Sequence, residues 1–352
     1  MTLTNFPFDP YLDMPPSRGQ RVDRYRFQWR NGITDQILGY VQPSRETPPS
    51  LSHDTSGSIK RKLTLSLNVD DSARINTLTD RILPFQITGG MTYPLGRYMF
   101  TDDSETTSTG GDRGVFTLLD EGNIIDQPLE TAYTSHSDCA TAISELVSGL
   151  PIPGISIDAT PFSATGAFTA GTSRGQAIDA YAQQGGLFSY WMGNDGLMHM
   201  IRVIDPAKAV PDFDWDAGFK VVRDGIVVTS DILTAPNKFV VISNASSASS
   251  APIVGMYIVP PSAPHSIANR GFTIPKVVDM QVSDTGQATE AARSLGVKQT
   301  IFERTSITTS NDPRHDSYNI VHYQGVNWLE LAWTMSLVPT GTMQHTIRKL
   351  YA

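Results

Sequence analysis

The sequence predicts a mainly β protein of the α+β class, with a strand-rich unit at each end and a small α/β domain between them. Three observations carry this. Apolar residues alternate with polar ones at a period of two in both end regions. Helical spacing is confined to three short stretches, two of them adjacent in the middle of the chain. Gly 28 and Pro 23 in 352 residues supply the turns that many short strands need, and 39% hydrophobic residues can fill several cores.

Residues 1–20 contain Pro7, Pro10, Pro15 and Pro16, which forbid a helix and favour an extended arm. From about residue 21 the period is two: Tyr25, Phe27 and Trp29 alternate with Arg24, Arg26, Gln28 and Arg30. The clearest alternation covers 59–69. Ile59, Leu63, Leu65, Leu67 and Val69 share one face, and Lys60, Lys62, Thr64, Ser66 and Asn68 the other. That pattern predicts a half-buried antiparallel strand with a wet or partner-facing side. Shorter strands are expected at about 83–88, 95–101 and 114–119, with turns at Gly89-Gly90 and Gly110-Gly111. Residues 102–112 read as an exposed, mobile loop.

Near residue 136 the pattern shifts. Ser137 or Asp138 caps a helix carrying Ala142, Ile143, Leu146 and Val147 and ending at Gly149. Thr172 or Ser173 caps a second, with Ile178, Tyr181 and Ala182 on one face. A hairpin follows, 187–192 and 197–203 around Gly193-Asn194-Asp195-Gly196. Strands return at 219–222, 226–229, 238–243, 253–259 and 272–281, with 244–252 as a flexible connection. A helix capped by Ser283 or Asp284 fits 285–299, and strands at about 300–309, 317–323, 328–337 and 342–350 finish the chain.

The residues give little sign of catalysis. One cysteine, Cys139, excludes an intrachain disulfide and a cysteine-rich metal site. No apolar run reaches membrane-spanning length, and the N-terminus lacks the basic and apolar regions of a secretory signal. A net charge of −8 argues against gripping nucleic acid by its phosphates. HExxH, P-loop, GxGxxG and GxSxG motifs are absent. The run Asp212-Phe213-Asp214-Trp215-Asp216 opens like a calcium loop, but Ala217 stands where the turn needs Gly and Arg223 where a bidentate Glu is needed. A linker with water-facing charges is the better reading. Cys139 and His136 have the spacing of a thiolate pair, though an inert buried thiol is favoured. Asp312, His315 and Asp316 sit in a Pro-containing turn and read as a solvated loop. Trp328 and Trp333, five apart on one strand, are expected on opposite faces, which argues against a sugar-stacking platform. The triplet Asn244-Ala245-Ser246 matches an N-glycosylation site by a pattern common by chance. No catalytic, cofactor-binding or metal-ligating residue is assigned, and no cofactor is expected.

The order of segments carries a resemblance. GSIKRKLTLSLNVDD, followed by ILPFQITGG, PLGRYMFTDD and RGVFTLLDEGNIID, resembles the first tube-type barrel of bacteriophage tail hub (baseplate hub) proteins. Relatives of that family include contractile-tail hubs and the base of the type VI secretion spike. SDCATAISELVSGL and SRGQAIDAYAQQGGLFSYWMGNDGLMHMIRV resemble the family's inserted α/β domain. DILTAPNKFVVISN, GFTIPKVVDMQVSDTGQATEAARSLGVKQ and TSITTSNDPRHDSYNIVHY with the two closing strands resemble its second barrel.

The resemblance implies two tube-type antiparallel β-barrel domains with an inserted small α/β domain. The arm is 1–20, the first barrel 21–125 completed by about 219–235, the insert 126–218, and the second barrel 236–352 with a helix at about 285–299. It implies a homotrimer whose two barrels per chain imitate sixfold symmetry. Such a ring joins the hexameric tail tube and distal tail proteins on one side to tip, spike or fibre proteins and the tape measure protein on the other. DNA passes through it without specific binding. The implied location is the tail tip of a virion assembled in the host bacterial cytoplasm, and the implied role is structural, not enzymatic. With the chain ending at Ala352, spike, peptidoglycan hydrolase or peptidase domains are expected on other proteins.

Two other readings fit the composition. One is a different β-rich tail protein, a distal tail or receptor-binding module that holds a host-surface saccharide through aromatic residues. The other is a hydrolase with a dispersed acid pair, which no spacing favours.

Overall fold

A computed structural model describes residues 23–44, 47–68, 71, 73–101, 105–106, 113–135, 137–216, 221–223, 229–231, 233–243, 251–299 and 302–351. The expected arm at 1–20, His136, most of the 102–112 loop, and 244–250 with the glycosylation triplet lie outside these residues.

The first part of the chain forms β1 (Arg24–Asn31), β2 (Ile37–Val41), β3 (Ser50–Asp54), β4 (Arg61–Asn68), β5 (Asp80–Thr88), β6 (Met91–Pro94), β7 (Tyr98–Phe100), β8 (Glu105–Thr106) and β9 (Arg113–Asp120). They hydrogen-bond in the order β3-β4-β9-β7-β5-β1-β2. Beyond β2 the chain folds back on β4: Pro43 bridges Leu67, and Ser44 N donates to Ser66 O at 2.7 Å. This contact closes the strands from β4 to β2 into a barrel. Its core is the predicted apolar face, with Leu63, Leu65 and Leu67 fully buried against Phe27, Ile82, Tyr98, Phe116 and Leu118.

The middle contains α1 (Gly122–Ile125), β10 (Tyr133–Thr134), α2 (Cys139–Val147), β11 (Ile155–Ile157), β12 (Ala167–Phe168), α3 (Arg174–Gln184), β13 (Trp191–Met192) and β14 (Met198–Met200). Asp138 and Ser173 cap the two longer helices by accepting from Thr141 N and Gln176 N. Ala142, Ile143, Leu146, Ile178 and Tyr181 bury the facing stripes in one core with Met192, Met198 and Met200 of the hairpin.

The last part comprises β15 (Phe213–Asp214), β16 (Val221–Arg223), β17 (Thr229–Ser230), β18 (Lys238–Ser243), β19 (Ile253–Ile258), α4 (Ile267–Arg270), β20 (Pro275–Asp279), α5 (Thr285–Gln299), β21 (Glu303–Ser310), β22 (Ile320–Tyr323), β23 (Val326–Ser336) and β24 (Thr342–Lys349). Asp284 accepts from Gln287 N at the start of α5, whose apolar stripe of Ala288, Ala291, Ala292 and Leu295 packs on the sheet β19-β18-β20. The approach is close at Gly255, where a Cβ would lie 2.1 Å from the Ala288 carbonyl carbon, so only glycine fits there.

The two ends of the chain share one sheet. β23 pairs antiparallel with β3, from Ala332 opposite Asp54 to Ser336 opposite Ser50. The path runs unbroken as β16-β21-β24-β23-β3-β4-β9-β7-β5-β1-β2. Packing follows it, since Trp333, Met335 and Met343 enter the core of the first barrel.

Five expectations need correction. The described strands within 219–235 pair outside the first barrel: Val221 with Thr309 and Thr229 with Arg304, both on β21. The barrel already closes through Pro43 and Leu67, whereas β21 has an edge to offer. The acidic run 212–216 is no linker, because β15 lies parallel to β22 and Phe213 and Trp215 are buried. Lys60 is not on a wet face: it is buried, and its Nζ donates to Gly57 O, Thr55 O and Ser189 Oγ at 2.9, 3.3 and 3.3 Å. Within the 102–112 loop, β8 pairs with β9. Finally, Trp328 and Trp333 share a face. A bulge between Glu330 and Ala332 resets the alternation, setting Trp328 opposite Lys349 and Trp333 opposite His345.

Replacing Leu65 with Asp buries a charge without a partner and should cost more than about 3 kcal/mol. Lys62→Asp, on the exposed side of the same strand, should stay within about 0.5 kcal/mol. Urea unfolding of both variants checks which face is inside.

Candidate functional site

The three parts of the molecule meet around the turn between β21 and β22, residues 311–319. It is no solvated loop. Asn311, Ser317 and Asn319 are fully buried, and Asp312, Arg314 and His315 nearly so. A buried turn must satisfy its polar groups with protein atoms, and here the partners come from every part of the chain.

From the first barrel, Arg61 on β4 reaches the turn. Its Nη2 pairs with Asp316 Oδ1, and its Nη1 donates to Asn194 Oδ1 at 2.7 Å. Asn194, in the hairpin turn of the inserted domain, donates Nδ2 to Pro313 O at 3.1 Å and His315 O at 2.9 Å. Its backbone N donates to Asp316 Oδ2 at 3.3 Å. His53 on β3 meets Ser317 Oγ through Nε2 and stacks on Trp333 at 5.4 Å. Asn311 Nδ2 donates to Tyr25 Oη at 2.8 Å and Ser336 O at 2.6 Å. Tyr318 takes a positive φ of 58°, rare for a bulky residue. That conformation lays its ring on Phe188 of the inserted domain at 4.1 Å.

The last part of the chain adds a carboxylate between two imidazoles. His315 Nδ1 lies 3.0 Å from Glu330 Oε2, and His345 Nδ1 meets Glu330 Oε1. Thr309 Oγ1 takes the other nitrogen of His345 at 2.8 Å, and Phe213 stacks on His315 at 3.9 Å. Burial pushes the Glu330 carboxyl up, but the charges and N–H groups of the two histidines outweigh it and hold it at about 2. Burial, and then the Arg61 charge, push the His53 imidazole well below its ordinary value. Burial raises the Asp120 carboxyl to about 6, although it accepts from the Arg61 and Gly122 backbone N–H groups.

Two histidines and a glutamate are a donor set that zinc accepts. Their ligand atoms all lie within 4.8 Å of one another. Each nitrogen faces a different carboxylate oxygen, so the arrangement is a hydrogen-bonded bridge that fixes β23 and β24 to the turn.

The structure brings together Asp312, His315 and Asp316 but divides their duties. Asp312 pairs with Arg314 at 2.7 Å, Asp316 with Arg61, and His315 with Glu330. The acidic run is spent on backbone groups: Asp212 accepts from Ile320 N at 2.8 Å, and Asp216 from Gln324 N and Gly325 N at 2.7 and 2.8 Å. Cys139 is buried and its thiol is pushed up to about 12 by burial, which disfavours the thiolate. Arg61, His53, Asn194, Glu330 and His345 are the partners that sequence reasoning passed over. Arg61 carried a signal, since it shares the buried parity of Leu63 and Leu65 on β4.

Replacing Arg61 with Met strands Asp316 and Asn194 and should cost about 3–5 kcal/mol. In a double-mutant cycle with Asp316→Asn the coupling should exceed about 1 kcal/mol. A coupling near zero would show that the pair is incidental. The pH dependence follows from the depressed groups. His53 binds a proton when unfolded but not when folded, so its contribution is complete above about 6.5 and fades as pH falls below it. Glu330 contributes above its unfolded value near 4.5 and fades as pH falls towards 2. Asp120 acts in the opposite direction between about 6 and 3.8. Thermal melts should therefore be flat between about pH 7 and 8 and fall most steeply below pH 4.5, and Glu330→Gln should flatten that last fall.

No family model matches this chain, and no curated protein does. Solved structures do. The tail protein from Neisseria meningitidis MC58 superposes with a TM-score of 0.64 at 13% identity, over 93% of this chain and 97% of that one. The prophage tail protein gp18 from Listeria monocytogenes EGD-e gives 0.60 at 11% identity, over 92% and 94%. The 43 kDa tail protein of prophage MuSo2 from Shewanella oneidensis gives 0.58 at 11% identity, over 92% and 98%. Identities this low speak for architecture, and along nearly its whole length this chain is built on the fold of phage and prophage tail proteins.

Proposed function

We propose that this chain is a structural, non-enzymatic protein of a phage-type tail, three copies of which form a hub ring at the tail tip. The observation that carries the reading is the unbroken sheet path through β23 and β3. A wall around a channel needs neighbouring units to meet edge to edge without free strands. In this chain the two ends already meet that way, so three chains supply six sectors. The ring then mates with a hexameric tail tube and distal tail proteins on one side. On the other it meets threefold tip, spike or fibre proteins and the tape measure protein.

Ring closure by a head-to-tail contact requires two different sticky surfaces per copy. The first part of the chain exposes Ile37, Leu38 and Tyr40 on β2, the last strand of the path. The last part exposes Val254, Met256, Ile258 and Val277 on the side of its small sheet away from α5. Two apolar patches of this kind suit contact between copies. A net charge of −8 suits a conduit that DNA crosses without being held. No helix among the described residues is long and apolar enough to cross a membrane. The saccharide reading loses its tryptophans, since all five are buried.

A particle reconstruction with this chain traced should show three copies around the tail axis, and six copies would contradict the hub reading. Met256→Asp, on the exposed face, should leave the melting curve unchanged and remove the protein from assembled tails.

A further inference from the structure

A cavity of about 500 Å³ opens between α3, α5 and the strands β3, β23 and β24. Its floor is apolar, with Phe188 and Leu329, while its charged groups are mostly basic: Lys298, Arg304 and Arg348 line it. Lys298 Nζ donates to Leu187 O, and among the described residues no carboxylate lies within ion-pair distance of it. Arg348 Nη2 donates to Val297 O. Arg304 stands exposed at the rim. Behind the wall, buried Lys60 donates to Ser189 Oγ at 3.3 Å. Two carboxylates also line the space. Asp179 accepts from Ser189 Oγ at 2.6 Å, and Asp54 is exposed at the mouth.

The balance is therefore positive in a chain whose net charge is −8. A buried ammonium without an ion-pair partner is expensive, and an anion in the cavity offsets that cost. Burial pushes the Lys298 ammonium down to about 8, with the Asp179 charge restoring only part of the loss. Burial likewise pushes the Arg348 guanidinium down to about 10.

We propose that this cavity binds a small multivalent oxyanion of the phosphate type, held from within by Lys298 and Arg348 and from the rim by Arg304. The volume leaves room for a larger group attached to the phosphate.

The test is equilibrium dialysis of the full chain with radiolabelled phosphate, pyrophosphate and adenosine monophosphate, beside thermal melts against sodium chloride of equal ionic strength. Saturable binding of one anion per chain, with a rise in Tm, is the expected result. Tighter binding of the nucleotide than of phosphate assigns the anion to a nucleotide, and the reverse assigns it to the free ion. Lys298→Gln should weaken binding at least tenfold. Arg304→Gln, at an exposed position that does not threaten the fold, should weaken it several-fold. Because an anion draws the Lys298 proton back, calorimetry at pH 8 in buffers of different ionisation enthalpy should show proton uptake that Lys298→Gln abolishes. Absence of saturable binding below about 1 mM, or affinity that both variants leave unchanged, would overturn the proposal.

Discussion

A guanidinium shut away from water has to be answered by protein atoms, and Arg61 is answered from two other parts of the molecule. Its partners are Asp316 in the turn of the last part and Asn194 in the inserted domain. Taking both charges out of water costs several kcal/mol per ion, which only good geometry and further hydrogen bonds repay. Here Asn194 supplies those bonds, reaching Pro313 O and His315 O with its other end. The first and last parts cannot separate without stranding a buried charge, and the inserted domain cannot leave without taking a hydrogen bond from each member of the pair. The ion pair therefore does less for total stability than for specifying one arrangement of the parts.

That arrangement matters because of what lies beside it. Trp333 stacks on His53, donates Nε1 to Asp316 O at 2.9 Å and carries the strand that pairs with β3. The polar junction and the strand seam are thus one device. The junction sets the register, and the seam carries the sheet from one end of the chain to the other. Glu330 and His345 extend it to β23 and β24, so the same turn holds both of the strands that enter the first barrel's core. A ring wall built from such chains inherits a seam that needs no partner to form.

Much of this was legible from the residues because most elements are locally consistent. The apolar face of Leu63, Leu65 and Leu67, the caps at Asp138, Ser173 and Asp284, and the α5 stripe all fold as their periods dictate. What escaped depends on contacts distant in sequence. β3 is five residues with two polar neighbours around Leu51, and only pairing with β4 and β23 makes it a strand. The bulge at Leu331 leaves no local mark, yet it reverses the parity on which the tryptophan reading rested. A charged residue on an alternating strand is expected to be wet, which holds for Lys62 and fails for Lys60, whose ammonium finds carbonyls of its own turn. The turn 311–319 misled for the same reason. Pro, Asp and Asn signal a turn correctly but say nothing about what covers it. The better clue was parity: Arg61, Glu330 and His345 are polar residues on the buried sides of apolar strands.

Hydrogen exchange across the seam tests the central claim most directly. If the junction makes both ends of the chain one sheet, amides of 50–54 and 332–336 should exchange only by global unfolding, with the same protection free energy as β4 and β9. Exchange at the seam through a cheaper opening, while β4 and β9 stay protected, would contradict the account, because the ends would then be separate bodies that merely touch.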